Sequence, residues 1–301
     1  MTTSSLRIGT RGSALAMVQA RLAASAFARA GHPVQLVEVV TEGDRRAPDT
    51  AWGEGAFVKS IERALLEGRV DIAVHSAKDV PTEEDARLSI AAYLPRADAR
   101  DAVVTADAAA RSLDALPRNA SVGTDSPRRT AFVLARRPDL RVRPLHGNVD
   151  TRLRRLDAGE VDALVLACAG LDRLDRAGRI AERLQPDQMP PAPGQGALAL
   201  QVRRDDDRML AIAAALDDRP TRVAVEAERD VLRAAGAGCR SPIGAYAEVV
   251  GPEVVVICGH VKLDGTGLRI GRRAGPVSDA SAIAVGLYRE LSAGEAMAAA
   301  P

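Results

Sequence analysis

SVGTDSPRRTAFVLARRPDLRVRPLHGNVDTRLRRL, residues 121–156, states one structural plan twice. Each half is a short apolar strand, a turn rich in Gly, Ser or Asn, and a helix entered close to its arginines: SVG before TDSPRRTAFVLARR, then RVRPLHG before NVDTRLRRL. Strand–turn–helix repetition is the signature of an α/β sheet, because parallel neighbours need a crossover that a helix supplies. A helix N-terminus offers unpaired N–H groups and the positive end of the helix dipole, and an arginine beside it adds a planar five-donor fork. Such ends hold carboxylates or phosphates. Pro127 suits a first helical position, which sets Arg128 and Arg129 beside those N–H groups. Arg152 and Arg155, three apart, share a helix face, and Arg154 points elsewhere.

The same plan extends in both directions. Upstream, residues 6–9 read as a strand, Ser13 as the cap of a helix with Leu15, Val18, Leu22 and Ala26 on one face, and 34–40 as a second strand. A helix over 56–66 and a strand ending near His75 lead into Ala77, Lys78, Asp79, Val80 and Pro81. Polar groups at the C-terminal ends of parallel strands are where open α/β sheets bind ligands. A strand over 88–94 closes this first pass. Strands over 101–104, 121–123, 141–145 and 161–166 form a second α/β unit, followed by a helix over 170–184. The Pro- and Gly-dense PPAPGQGA then marks a crossing. From it, a strand over 197–202 and a helix over 208–216 are expected to return to the first unit. From residue 221 the order becomes helix, Gly-rich turn, the strands 254–261 and 268–273, and a last helix over 280–291, which fits helices on one face of a small antiparallel sheet. The expected division is 1–96 with 195–217, then 97–194, then 218–301.

Composition limits what the arginines can mean. At 301 residues, two or three domains are expected, and 41 Lys+Arg against 40 Asp+Glu leave a net charge of +1, so no global positive field points to nucleic acid. Lys59, Lys78 and Lys262 are the only lysines, and aromatic residues make up 2% of the chain, too few for base-stacking platforms. No apolar run approaches the roughly 18 residues that a spanning helix needs. The N-terminus also lacks an apolar signal core. A soluble, cytoplasmic, monomeric protein with neither membrane nor nucleic-acid partner is the expectation. Cys168, Cys239 and Cys258 are widely spaced, unlike a disulfide framework, and the four histidines are scattered, so no zinc site is apparent. GTRGSA, GEGAF and PGQGA complete neither a dinucleotide nor a nucleoside-triphosphate loop.

Two residues stand out chemically. Cys239 lies in a Gly-rich turn beside Arg240, and an adjacent cation lowers the cost of a thiolate. Its alternative is a small buried hydrophobe. Cys168 and Cys258 sit in apolar runs and read as core. No His–Asp arrangement near Cys239 in sequence supports hydrolysis, so covalent attachment is the better reading. Asp79, next to Lys78 and before Pro81, can accept a proton or stabilise developing positive charge, or it can be a surface ion pair. Arg11, Arg128, Arg129, Arg152, Arg154, Arg155 and Arg173 form an anion-binding pool, and several clamps suit a substrate bearing several carboxylates.

These segments together resemble the hydroxymethylbilane synthase (porphobilinogen deaminase) family. LRIGTRGSALA, GAFVKSIERALLEGRVDIAVHSAKDVPT, VGTDSPRR, LHGNVDTRL, LACAGLDRL, PPAPGQGA and GCRSPIGAYA occur in family order over most of the chain. HSAKDVP together with GCRSPIG is specific. The resemblance implies two hinged periplasmic-binding-protein-like α/β lobes with a small α+β C-terminal domain. It implies a transferase of porphyrin, tetrapyrrole and haem biosynthesis that joins four porphobilinogens head to tail, releasing ammonia and finally hydroxymethylbilane. It also implies a dipyrromethane cofactor attached to Cys239 by a thioether, with Asp79 catalytic. Lys78, Asp79, Arg128, Arg129, Arg152 and Arg173 would contact the cofactor, and Arg11, Ser13, Arg128, Arg152 and Arg173 the substrate. A paralogue acting on a related pyrrole, or a noncatalytic two-lobed carboxylate-binding protein, are the alternatives. The chain departs from the family pattern at His146, where LRGNV is usual, at Glu54 in GEGAF, where a lysine is usual, and at Asp125 in GTDSPRR, where GTSSLRR is frequent. The loop over 43–55 is also shortened.

Overall fold

The computed structural model describes residues 5–40, 58–236, 238 and 241–298. Its first sheet begins with β1 (Leu6–Thr10), β2 (Val34–Glu38), β3 (Ile72–Ser76) and β4 (Leu88–Leu94), in the order β2-β1-β3, then a strand arriving from later in the chain, then β4. That late strand is β10 (Leu198–Arg203), antiparallel to both β3 and β4, with Ala199 opposite His75 and Tyr93. The second sheet has β5 (Asp101–Thr105), β6 (Ser121–Gly123), β7 (Arg141–Arg143), β8 (Ala163–Ala167) and β9 (Glu182–Leu184) in the order β7-β6-β8-β5-β9. The two sheets share one plan. In each, three parallel strands run second-first-third, and the next strand enters antiparallel after the chain has crossed from the other sheet.

Helices cover both sheets, and the caps explain where they start. Ser13 accepts from the Ala16 N–H at the head of α1 (Ala14–Arg29), and α2 (Lys59–Leu66) follows. Ser126 caps α3 (Pro127–Arg136), and Asn148 caps α4 (Val149–Asp157) by accepting from Thr151 N–H. After α5 (Cys168–Arg173), Asp206 caps α6 (Asp207–Ala214). Ile8, Phe27, Ile72, Leu200 and Met209 form one core of the first lobe, and Val103, Val122, Phe132 and Val165 one core of the second.

Two sequence expectations are corrected. α1 buries Gln19, Ala20, Ala23 and Phe27, whereas Leu22 is exposed, because the polar Gln19 turns inward to donate to Ser76 Oγ at 3.0 Å. The single helix expected over 170–184 is broken. Its chain leaves α5 through Asp175 at φ 57 and a short 3-10 turn, then extends as β9 to pair with β5, burying Leu184. An aspartate tolerates the left-handed conformation better than most residues, which makes it a permissible helix exit.

The third domain packs α7 (Arg219–Ala234) and α8 (Ala280–Ala298) on one face of an antiparallel meander, β11 (Ile243–Val250), β12 (Glu253–His260) and β13 (Arg269–Pro276). Sequence reading supplied only the last two of these strands. No helix among the described residues is long and apolar enough to cross a membrane.

Candidate active site

The parallel strands bring their C-terminal ends, and the turns that follow, into one region between the sheets. β3 ends at Ser76 and passes into a single 3-10 turn, Ala77–Asp79, which presents Lys78 and leaves Asp79 exposed. The β6 and β7 ends supply the entries to α3 and α4. A cavity of about 240 Å³ is lined there by Lys78, Asp79, Asp125, Arg128, Arg129 and Arg152, with Gly238 and Ser241 at its edge. A smaller one of about 80 Å³, lined by Arg11, Ser13, His75 and Ser76, shares Asp79 with it. Asp79 thus stands where the two meet.

Each cation is placed by particular acceptors. Arg128 donates to Pro190 O at 2.7 Å and Asp101 Oδ2 at 2.6 Å; Arg129 donates to Asp101 Oδ1 at 2.9 Å and Val165 O at 3.1 Å. Asp101 is fully buried at the start of β5. Burial pushes its pKa upward, but Arg128 and Arg129 outweigh that and hold the carboxyl well below the usual range. Gln195 completes the arrangement: its Oε1 accepts from Lys78 Nζ at 3.1 Å and Arg129 Nη2 at 3.3 Å, and its Nε2 donates to Ala99 O at 2.8 Å. Burial, then repulsion from Arg129, pulls the Lys78 ammonium down to about 8. Burial, then Arg129, likewise lowers Arg152 to about 10, and its Nε is buried without a hydrogen-bond partner. An orphaned buried donor inside a cationic cavity is what a carboxylate-bearing group would satisfy.

The remaining candidates divide. Ser13 lines the smaller cavity while its hydroxyl caps α1. Arg173 lines neither cavity; it donates to Gly196 O at 2.7 Å and braces the second crossing. Arg155 pairs with Glu160 and Arg154 with Thr151. His75 is buried against Gln201 at 3.0 Å, and burial lowers it to about 4, so it is a neutral support of the sheet. Burial pushes the Cys168 and Cys258 thiols up to about 12, which makes both poor nucleophiles. Cys239, Arg240 and Glu54 lie outside the described residues, as does the 43–55 loop.

Two departures from the family pattern prove to be one feature. His146 Nδ1 lies 2.9 Å from Asp125 Oδ2 without making a hydrogen bond to it, both side chains being mostly buried, so the β6–α3 turn and the β7–α4 turn touch at this pair. Asp125 also faces the Arg152 charge. The carboxylate that looks out of place in an anion site therefore lies against the residue standing where the family's arginine is usual.

Sequence reading missed the residues that hold the cations from behind. Asp101 opens β5 where the first crossing ends and Gln195 lies on the second crossing, and Gly196 in PGQGA is needed there: at φ 89, a Cβ would fall 2.5 Å from Ala97 O. Glu228, fully buried on α7, accepts from Arg96, Gly194 and Ala247, tying both crossings to the third domain. PGQGA contains part of the signal, but nothing local assigns partners this distant. A larger cavity, about 680 Å³, opens between the first crossing and the third domain; Arg96, Asp98 and Arg100 there already have partners, and none of the sequence-derived candidates lines it.

The chain is similar to known proteins over most of its length. Residues 6–211 match a family model described as porphobilinogen deaminase, dipyromethane cofactor binding domain, and residues 223–293 one described as porphobilinogen deaminase, C-terminal domain. The porphobilinogen deaminases of Mycobacterium avium and Mycobacterium leprae are each 50% identical over 246 residues, covering 81% of this chain and 78% of theirs. That of Mycobacterium tuberculosis strain H37Ra is 50% identical with 79% of its length covered. A periplasmic VFT2 domain of Bordetella pertussis BvgS aligns at a TM-score of 0.44 and 19% identity, over 70% of this chain and 86% of that one. With both of its models matched and half its aligned residues shared with such relatives, the chain belongs to the porphobilinogen deaminase family.

Proposed function

We propose that the cationic cavity holds the acidic side chains of a pyrrole oligomer tethered to Cys239, and that Asp79 manages the proton at the reacting centre. The enzyme is a transferase of tetrapyrrole biosynthesis that polymerises porphobilinogen, a hydroxymethylbilane synthase with a dipyrromethane cofactor. When bound, that cofactor would supply the free pyrrole carbon that takes the first unit, each later unit joining the end of the growing chain. The residues present fit it: Gly238 and Ser241, which bracket Cys239 in sequence, line the cavity that contains the unpartnered Arg152 Nε. Lys78, Arg128, Arg129 and Arg152 would hold its carboxylates.

Porphobilinogen must lose its aminomethyl nitrogen as ammonia before its methylene carbon forms the new carbon–carbon bond. As the aminomethyl ammonium departs as ammonia, the Asp79 carboxylate would stabilise the positive charge left on the substrate pyrrole, and it would accept the proton that the attacking pyrrole carbon gives up when the carbon–carbon bond forms. Arg11 and Ser13, on the far side of Asp79, orient the incoming substrate, and Arg173 acts through the crossing it braces. The cavity of about 240 Å³ is smaller than the roughly 300–1,000 Å³ typical of small-molecule sites. Growth of the chain then requires the lobes, joined by two crossings, to part. We take the division into 1–96 with 195–217, 97–194 and 218–301 as the moving units, in a monomeric cytoplasmic enzyme that binds neither nucleic acid nor membrane.

The observation that carries this reading is the position of Asp79, exposed at the junction of the two cavities beside Lys78. Incubating Asp79→Asn with porphobilinogen tests it. Ammonia release should fall at least 100-fold with the attached primer retained, and turnover at the wild-type rate would remove Asp79 from this role.

A further inference from the structure

We propose that Arg229 is a positioning residue for the Asp79 turn, holding it in place from α7. The inference rests on the reading of Asp79 and Cys239 above. Arg229 is 3% exposed and lines neither site cavity. Its guanidinium donates to Val80 O at 2.9 Å and Pro81 O at 2.7 Å, the two carbonyls that follow Asp79, and to Glu84 Oε1 at 2.9 Å.

The turn needs such support. Ala77–Asp79 is a single 3-10 turn closed by a long Val80 N–H to Ala77 O bond of 3.3 Å, and 3-10 geometry is intrinsically weak. Pro81 has no N–H with which to extend it. Three α7 residues on one face supply what is missing. Val225 packs against Ala77 and Val80 in a buried cluster with Tyr93 and Ala199. Glu228 accepts from Gly194 N–H at 2.7 Å, and Gly194, at φ 76, lies against the Ala77–Lys78 peptide so closely that a Cβ would sit 3.1 Å from Ala77 C and Lys78 N. Arg229 holds the turn's exit. The helix ends at Ala234, five residues before Cys239. One rigid element outside the lobe that carries Asp79 therefore grips the catalytic turn at its start, middle and exit.

Arg229→Met, Arg229→Lys and Asp79→Asn test this, with kcat normalised to primer-loaded molecules counted by intact mass. Normalisation matters because a merely structural role would lower the yield of loaded protein and leave kcat per loaded molecule unchanged. Misplacing a reacting group by about 1 Å can cost about 100-fold. Arg229→Met should therefore lower kcat roughly 10- to 100-fold with KM within about twofold of wild type. Arg229→Lys, whose ammonium lacks the planar fork that reaches both carbonyls, should fall between. Wild-type kcat per loaded molecule in Arg229→Met, with Asp79→Asn inactive, overturns the role of Arg229 alone. If Arg229→Met does not fold, Arg229→Lys decides: an unchanged kcat overturns the proposal and a reduced one at constant KM supports it. Normal turnover in Asp79→Asn overturns the underlying reading and this proposal with it.

Discussion

Replacing Glu228 by glutamine exchanges one carboxylate oxygen for an amide nitrogen at the point where three domains meet. Its carboxylate oxygens accept from Arg96 Nη1 at 2.6 Å, Arg96 Nη2 at 2.9 Å, Gly194 N–H at 2.7 Å and Ala247 N–H at 2.7 Å, with no solvent exposure. All four partners are donors. The amide nitrogen of glutamine, also a donor, would face two of them whichever way it turned. Charge-assisted hydrogen bonds contribute roughly 1.5–3 kcal/mol each, so losing two gives about 3–6 kcal/mol. Removing one partner of a buried ion pair costs about 3–5 kcal/mol, and the two routes agree. Glu228→Gln should lose about 3–5 kcal/mol in urea unfolding followed by circular dichroism, with faster hydrogen exchange at the Gly194 and Ala247 amides. The double variant Arg96→Met/Glu228→Met should be more stable than Glu228→Met, because it removes the unpaired buried cation, yet stay below wild type because both amides still lack acceptors. A loss under about 1 kcal/mol, or unchanged exchange at both amides, would refute the reasoning.

Lys78, lowered to about 8, should lose its proton as pH rises from 7 to 9, and KM for porphobilinogen should rise roughly tenfold, the equivalent of one lost charge-assisted contact. Unfolding would not explain such a loss: between about 8 and the ordinary lysine range the unfolded chain binds more protons, so this group's contribution to stability rises with pH. Lys78→Met should show a flat KM over the same window, and a wild-type profile in that variant would exclude Lys78 as the titrating group. For Asp125 and His146, a double-mutant cycle with Asp125→Ser and His146→Arg should give a coupling of roughly 0.5–3 kcal/mol in kcat/KM. Strict additivity would show that the 2.9 Å pair does not act as a unit.

Local chemistry made much of the fold legible. Ser13, Ser126 and Asn148 cap their helices through hydrogen bonds to residues three along, so the sequence window contains both partners. Leu22 was misjudged because the inward position belongs to Gln19, whose partner Ser76 is 57 residues away. The helix over 170–184 read as continuous from its composition, yet pairing with β5 took its last residues as a strand. The site shows the same division. Lys78, Asp79, Arg128, Arg129 and Arg152 converge as their motifs suggested, because each follows a parallel strand whose C-terminal end faces the same space. What fixes them was not legible: Arg128 and Arg129 are engaged by Asp101, Lys78 by Gln195, and Glu228 reaches Arg96 across 132 residues. Asp125 and His146 each looked like a lost contact until the fold set them side by side.

Intact-mass measurement with peptide mapping of catalytically active protein tests the central claim most directly. The account predicts a two-pyrrole addition confined to the peptide containing Cys239, absent from Cys239→Ser together with activity. An active sample with no pyrrole addition, or one with the addition on Cys168 or Cys258, would contradict it.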